Sequence, residues 1–201
     1  MAVKAVFFDV GETLVDERGY WAELARRVDL GPHVLWAALG VTIERGEEHT
    51  VLWEHLGLER PSHEGLLYRR DELYPDALPC LEELGALGYF VGIAGNQTAA
   101  LEEWARAESL PADVVASSAG WGVRKPDPAF FQRVVEEAGC EPGEVAYVGD
   151  RVDNDVLPAL AAGLVAVHVR RGPWGHLQSG ADRAHIRLDS LAELPQALAR
   201  V

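Results

Sequence analysis

Asp9, Asn96 and Asp150 each close a run of apolar residues. Val3-Lys-Ala-Val-Phe-Phe8 precedes Asp9, Tyr89-Phe-Val-Gly-Ile-Ala94 precedes Gly95-Asn96, and Val145 to Val148 precedes Gly149-Asp150. Runs of this kind, rich in β-branched and aromatic residues, predict buried strands that hand a polar side chain to a loop. In open parallel sheets, ligands bind beyond the carboxyl ends of the strands, near the switch in strand order. Lys125 stands on a nearby loop, and Asp155 follows shortly after Asp150. Carboxylates gathered around one cleft repel one another unless a hard cation is present, and Mg²⁺ is held by few carboxylates together with water and substrate phosphate. Asp9, Asp150 and Asp155 therefore predict a magnesium site. Any one of these aspartates could merely cap a helix or close a turn; the argument lies in their joint placement at strand ends.

The elements that must position these residues follow from periodicity. Val3–Phe8 is the first strand. From about Tyr20 to about Leu73 the spacing turns helical, with Trp21, Leu24 and Val28 on one stripe, then Val34 to Ile43, then Val51 to Leu56. Breaks at Gly31-Pro32 and from Gly57 to Pro61 divide this stretch into roughly four helices inserted after the first strand. A helical stripe from Leu81 to Leu87 ends at Gly88 and leads into the second strand, Tyr89–Ala94. Val114–Ala116 is a short third strand. Asp127 suits an N-cap, Pro128 a first turn and Gly139 a stop, which together frame a helix. Val145–Val148 is the fourth strand, a helix runs from about Asp155 to Ala162, and Val165–Val169 is the fifth. This alternation implies a parallel, doubly wound α/β sheet with right-handed crossovers.

The whole-chain numbers bound the class of function. At 201 residues the chain can bury a full core, and 48% hydrophobic with 25% charged residues is ordinary for a globular protein. A formal charge of -14 with no Lys or Arg run argues against nucleic acid as a partner. The first apolar run is cut off by Asp9, too short for a signal core or a membrane span, so no membrane association and a cytoplasmic location are expected. Cys80 and Cys140 stand alone, outside any CxxC or Cys/His cluster, and read as reduced thiols.

Three segments resemble the haloacid dehalogenase-like superfamily: Phe8-Asp-Val-Gly-Glu-Thr-Leu14, Gly122-Val-Arg-Lys-Pro-Asp-Pro128 and Val148-Gly-Asp-Arg-Val-Asp-Asn-Asp155. The likeness spans nearly the whole chain, and the helical insertion matches the family's first class of cap. The resemblance implies a Rossmann-like core over residues 1–15 and 77–201, with a helical cap over 16–76. It implies Asp9 as a nucleophile that forms an aspartyl-phosphate, with Lys125 stabilising charge. It implies Thr13, Asn96 and Lys125 on the phosphate, and Mg²⁺ held by Asp9, the Gly11 carbonyl, Asp150 and Asp155.

Two departures stand out. Family phosphatases carry a second aspartate two residues after the nucleophile, which protonates the leaving oxygen and then activates water; this chain has Gly11. Loss of positioned proton transfer typically costs about 10²- to 10⁴-fold in rate. Glu12 is adjacent, but neighbouring residues on an extended loop point in opposite directions, so it reads as a solvated loop charge. Gly95 stands where the family places a phosphate-binding Ser or Thr, either a lost contact or a residue kept small for close backbone approach.

The retained Asp150 and Asp155 argue against a metal-free dehalogenase, and the absence of lysine between Lys4 and Lys125 argues against a cap Schiff base. His33, His49, His55 and His63 fall in the expected cap without metal-ligand spacing, and Trp21, Trp36 and Trp53 read as its packing. Arg124, Arg151, Arg170 and Arg171 read as surface charges near the cleft, one of which could steer anions. The leading expectation is a Mg²⁺-dependent phosphatase of a small phosphorylated metabolite, monomeric or homodimeric and slowed by Gly11. A degenerate, non-catalytic binding protein of the same fold is the alternative, with a metal-free dehalogenase behind it.

Overall fold

The computed structural model describes residues 2–66 and 68–201. The chain runs β1 (Ala5–Phe8), α1 (Arg18–Arg27), α2 (Pro32–Glu44), α3 (Leu52–His55), α4 (Ala77–Ala86), β2 (Phe90–Gly95), α5 (Ala100–Ala107), β3 (Val114–Ser117), α6 (Ser118–Trp121), α7 (Pro128–Ala138), β4 (Val145–Gly149), α8 (Leu157–Ala161), β5 (Val165–Val169), α9 (Gly172–Leu177), β6 (Ile186–Leu188) and α10 (Leu194–Leu198). The strands form one parallel sheet in the order β3-β2-β1-β4-β5-β6. The chain winds outward from β1 to β3, then returns to place β4 on the other side of β1. The switch in strand order thus falls between β1 and β4, where their carboxyl ends open a crevice.

The central strands β1, β4 and β5 bury both faces along their whole length. Along β1, Val6 and Phe8 join one apolar layer with Leu81, Leu84 and Ile93, while Ala5 and Phe7 join the other with Phe130, Phe131 and Tyr147. This is the pattern that makes parallel strands read as unbroken apolar runs. α7 forms as its sequence predicts: the Asp127 carboxylate accepts from Ala129 N at 2.9 Å, Pro128 opens the helix, and Gly139 ends it in the left-handed region at φ 63°.

Three details differ from the sequence reading. β6 carries no apolar run: it has three residues, pairs only with β5, and exposes Arg187 between buried Ile186 and Leu188, as an edge strand does. Among the described residues between β1 and α4 there are two long helices, a short α3 that continues a 3₁₀ turn at His49–Val51, and one 3₁₀ turn at Arg70–Glu72, rather than roughly four helices. Arg60 precedes Pro61, and a residue before proline is pushed out of the helical region, so α3 is not resumed there. Leu67, within the expected helical stretch, lies outside the described residues. Finally, the turn expected to begin at Asp155 begins at Val152, as a π-helical turn in which the Arg151 carbonyl accepts from both Asp155 N and Val156 N.

Helices α1 to α3 pack around their own apolar cluster of Trp21, Leu24, Leu35, Leu39, Ile43, Leu52 and Trp53, joined by Trp174 from α9. Among the described residues no helix is long and apolar enough to cross a membrane.

Candidate active site

Asp9 leaves the end of β1 with its backbone N–H bonded to Val148 O at 2.8 Å, which sets the two central strand ends side by side. Asp150 leaves the end of β4, and the π-helical turn swings Asp155 back into the same crevice. One carboxylate oxygen from each of the three lies within 4.8 Å of the others. All three are buried.

Lys125 is 1% exposed, and its Nζ sits 2.7 Å from Asp9 Oδ1 and 2.6 Å from Asp155 Oδ1. The Asn96 side chain positions it: Nδ2 donates to the Lys125 carbonyl at 2.9 Å and Oδ1 accepts from Lys125 N at 2.8 Å. Asn96 was expected on the phosphate; its amide instead clasps the backbone of the lysine expected there. Burial alone would lower the Lys125 ammonium, but Asp155 and Asp9 outweigh it and hold it above its usual range.

The remaining charge is uncompensated. Burial, then Asp155 and Asp9, push Asp150 well above the usual carboxylate range. Burial pushes Asp155 up to about 6, against the pull of Lys125. Among the described residues, Asp150 Oδ2 is buried with no hydrogen-bond partner, and so is Thr13 Oγ1 on the loop after β1. Buried polar atoms are normally satisfied. Two orphaned oxygens beside three clustered carboxylates are what a hard divalent cation and a phosphate would satisfy, so the donor set fits Mg²⁺. His168 Nε2 donates to the Asp150 carbonyl at 3.0 Å and fixes the loop that carries Asp150.

The glycines beside the site are set by space. A Cβ built on Gly95 would stand 2.5 Å from Asp9 Oδ1, and one on Gly149 would stand 2.5 Å from Asp155 Cβ. The close-approach reading of Gly95 accounts for its presence.

Glu12 overturns the expectation of a solvated loop charge. It is 3% exposed, its φ is 53°, and both oxygens are engaged: Oε2 accepts from Tyr74 OH at 2.5 Å and Oε1 from Glu17 N at 3.1 Å. The positive φ turns its side chain inward, a geometry that alternation along an extended loop does not foresee. Arg171 likewise is no surface charge: it is buried, donates to the Thr13 carbonyl at 2.7 Å, and pairs with Asp76.

The residue that sequence reasoning missed is Glu17. A Cβ built on Gly11 would fall 2.7 Å from the Glu17 carboxyl carbon, so this carboxyl fills the space a side chain at position 11 would take. Glu17 Oε1 accepts from Tyr68 OH at 2.9 Å and Oε2 from Trp21 Nε1 at 3.3 Å, while Gln97 Nε2 donates to Tyr68 OH at 2.9 Å. Burial, then the charges of Glu12 and Asp9, raise Glu17 to about 7. Only the vacancy at Gly11 signals it in the sequence. Both cysteines are free, and burial pushes the Cys80 thiol up to about 12, so neither offers a thiolate.

Residues 3–163 match the family described as haloacid dehalogenase-like hydrolase. A glyceraldehyde 3-phosphate phosphatase of Methanopyrus kandleri is 30% identical over 207 residues, covering 88% of this chain and 88% of that protein. The crystal structure of a HAD phosphatase from Thermococcus onnurineus superposes with a TM-score of 0.67 at 27% identity, covering 98% of both chains. An L-2-haloacid dehalogenase shares the fold at a TM-score of 0.73 and 19% identity, over 99% of this chain and 100% of that one. With the family matched over most of its length and a relative aligned nearly end to end, the chain belongs to the haloacid dehalogenase-like hydrolases.

Proposed function

We propose that the protein is a Mg²⁺-dependent phosphatase of a small phosphorylated metabolite, with residues 1–15 and 77–201 as catalytic core and 16–76 as cap. The observation that carries this reading is the buried cluster at the strand switch: Lys125 bridges Asp9 and Asp155, while Asp150 Oδ2 is left without a partner. A dehalogenase expels halide without a metal and has no use for Asp150 and Asp155 buried together. The M. kandleri relative is named for a three-carbon phosphate, which supports a substrate of that size.

In this mechanism an Asp9 carboxylate oxygen attacks phosphorus and the bond to the leaving oxygen breaks, leaving an aspartyl-phosphate that water then hydrolyses. Lys125 Nζ neutralises charge on the phosphoryl oxygens and, through its pair with Asp155, holds Asp9 in place. The Thr13 hydroxyl, buried and unpartnered, donates to a phosphate oxygen. Asp9, the Gly11 carbonyl, Asp150 and Asp155 would hold Mg²⁺, which supplies the positive charge that lets an anionic carboxylate approach an anionic phosphate.

The test is phosphate release from p-nitrophenyl phosphate, acetyl phosphate, glyceraldehyde 3-phosphate and sugar phosphates, with and without Mg²⁺, for wild type and Asp9→Asn. Turnover that requires both Mg²⁺ and Asp9 is expected. No turnover on any substrate, with Asp9→Asn indistinguishable from wild type, would leave the non-catalytic binding protein as the reading.

A further inference from the structure

Expelling an alkyl alcohol from phosphorus requires a proton on the departing oxygen, and the loop after Asp9 offers no acid at position 11. Among the carboxyls near Asp9, that of Glu12 lies against Gly172 and bonds Tyr74 OH, whereas the atoms nearest a Cβ on Gly11 all belong to Glu17. Asp150 and Asp155 belong to the cation cluster. Glu17 is the group left, and its carboxyl stands where a position-11 side chain would project: a Cβ on Gly11 would meet its Cδ at 2.7 Å. We propose that Glu17, reaching back from the start of α1, is the general acid and base of this enzyme, supplying from six residues downstream the carboxyl that Gly11 lacks. The inference rests on the phosphatase reading above.

The surroundings suit the role. The Glu17 carboxyl is enclosed against Gly11, two residues from Asp9, so it lies in the crevice that holds the nucleophile. Tyr68 OH and Trp21 Nε1 each hold one of its oxygens, and Tyr68 is itself held by Gln97, next to the end of β2. Three separate segments thus converge to fix one carboxyl over Gly11. Tyr68 and Trp21 come from the helical insertion, so the position of the acid depends on how that insertion sits against the core.

The step balances without any further reagent. As the Asp9 oxygen bonds to phosphorus and the phosphorus–oxygen bond to the alcohol breaks, the Glu17 proton passes to the departing oxygen, releasing the alcohol and leaving a carboxylate. That carboxylate then takes a proton from water as the water oxygen attacks phosphorus. The Asp9–phosphorus bond breaks, inorganic phosphate leaves, and Glu17 is again protonated.

The test compares wild type, Glu17→Gln and Asp9→Asn in Mg²⁺ on a sugar phosphate and on p-nitrophenyl phosphate, whose phenolate leaves without a proton. Glu17→Gln should lower steady-state turnover of the sugar phosphate by about 10²- to 10⁴-fold. With p-nitrophenyl phosphate it should still release a rapid burst of about one phenolate per enzyme, because attack by Asp9 survives, before slow hydrolysis of the trapped intermediate. Gly11→Asp in the Glu17→Ala background should recover sugar-phosphate turnover by returning a carboxyl to the same space. Wild-type turnover of the sugar phosphate by Glu17→Gln would overturn the proposal. So would loss of the burst, which would make Glu17 a support for Asp9 rather than a proton carrier. Turnover unaffected by Asp9→Asn would instead overturn the phosphatase reading.

Discussion

At the scale of single residues, the site is governed by what is small as much as by what is charged. Gly95 stands where relatives in the family carry a hydroxyl for the phosphate, and a serine there looks like a repair. The structure argues the opposite, because a Cβ at position 95 would lie 2.5 Å from Asp9 Oδ1, the oxygen held at 2.7 Å by Lys125 Nζ. The Asp9 backbone is fixed by its bond to Val148 O, so relief must come from rotating the carboxyl away from the lysine. Misplacing a nucleophile by even 1 Å is expensive in rate. Gly95→Ser is therefore expected to lower kcat on p-nitrophenyl phosphate about tenfold or more, equivalent to about 1.4 kcal/mol of transition-state stabilisation. Steady-state kinetics beside wild type measures this directly. A gain in kcat would show instead that the site lacked only a phosphate donor.

At the scale of elements, the helical insertion is tied to the core through Trp174 of α9, which packs with Trp21 at 6.3 Å and edge-on with His49 of the 3₁₀ turn at 6.3 Å and 80°. Arg151, one residue after Asp150, lies over the other part of this contact with its guanidinium 4.6 Å from the Trp174 ring. Burial first, then Arg151, Arg60 and Arg124, lower His49 to about 4, with only exposed Glu48 favouring its charge. Its Nδ1 has no hydrogen-bond partner among the described residues. Below pH ~6.5 the unfolded histidine takes up a proton that the folded one refuses, so the stability it carries is complete above that pH and is lost as pH falls toward 4. Wild type should lose about 2 kcal/mol more than His49→Phe between pH 7.5 and 4.5, after allowing for the partial exposure of the ring. Denaturant unfolding at the two pH values measures the difference, and equal losses would mean that His49 is free to charge in place. Strands β1 to β5 were legible because each is an apolar run; β6 was not, because a three-residue edge strand has only two inward side chains. Asp9, Asp150, Asp155 and Lys125 were legible from their places at strand ends and in short motifs. Glu17 was not, since its meaning comes from the chain folding back over Gly11, and no local pattern encodes that return.

At the scale of the whole molecule, a chain of 32 acidic residues against 18 basic ones holds a centre in which one lysine pairs with only two of three clustered carboxylates. Burying like charges together is costly, and an uncompensated buried carboxylate costs more than a neutral group of the same shape. The fold accepts this at the strand switch, where Asp150 Oδ2 faces no donor. Two consequences follow in opposite directions. Without metal, Asp150→Asn should be more stable than wild type, because it removes a carboxyl whose charged form the site disfavours and leaves the packing unchanged. With Mg²⁺ at about a hundred times its dissociation constant, wild type should gain about 2.7 kcal/mol by binding only to the folded state. For a chain of this size that corresponds to a rise in Tm of about 5–10 °C. Asp150→Asn should lose most of that gain, so the order of the two melting temperatures inverts between EDTA and Mg²⁺. Thermal unfolding with Na⁺ matched for ionic strength separates a bound ion from general screening of a protein of charge -14. If Asp150→Asn melts lower than wild type in EDTA and keeps the full Mg²⁺ shift, the cation is held elsewhere and Asp150 is a structural acid. An inversion would show that stability at this site is given up in the empty protein and restored by the ion that the proposed chemistry requires.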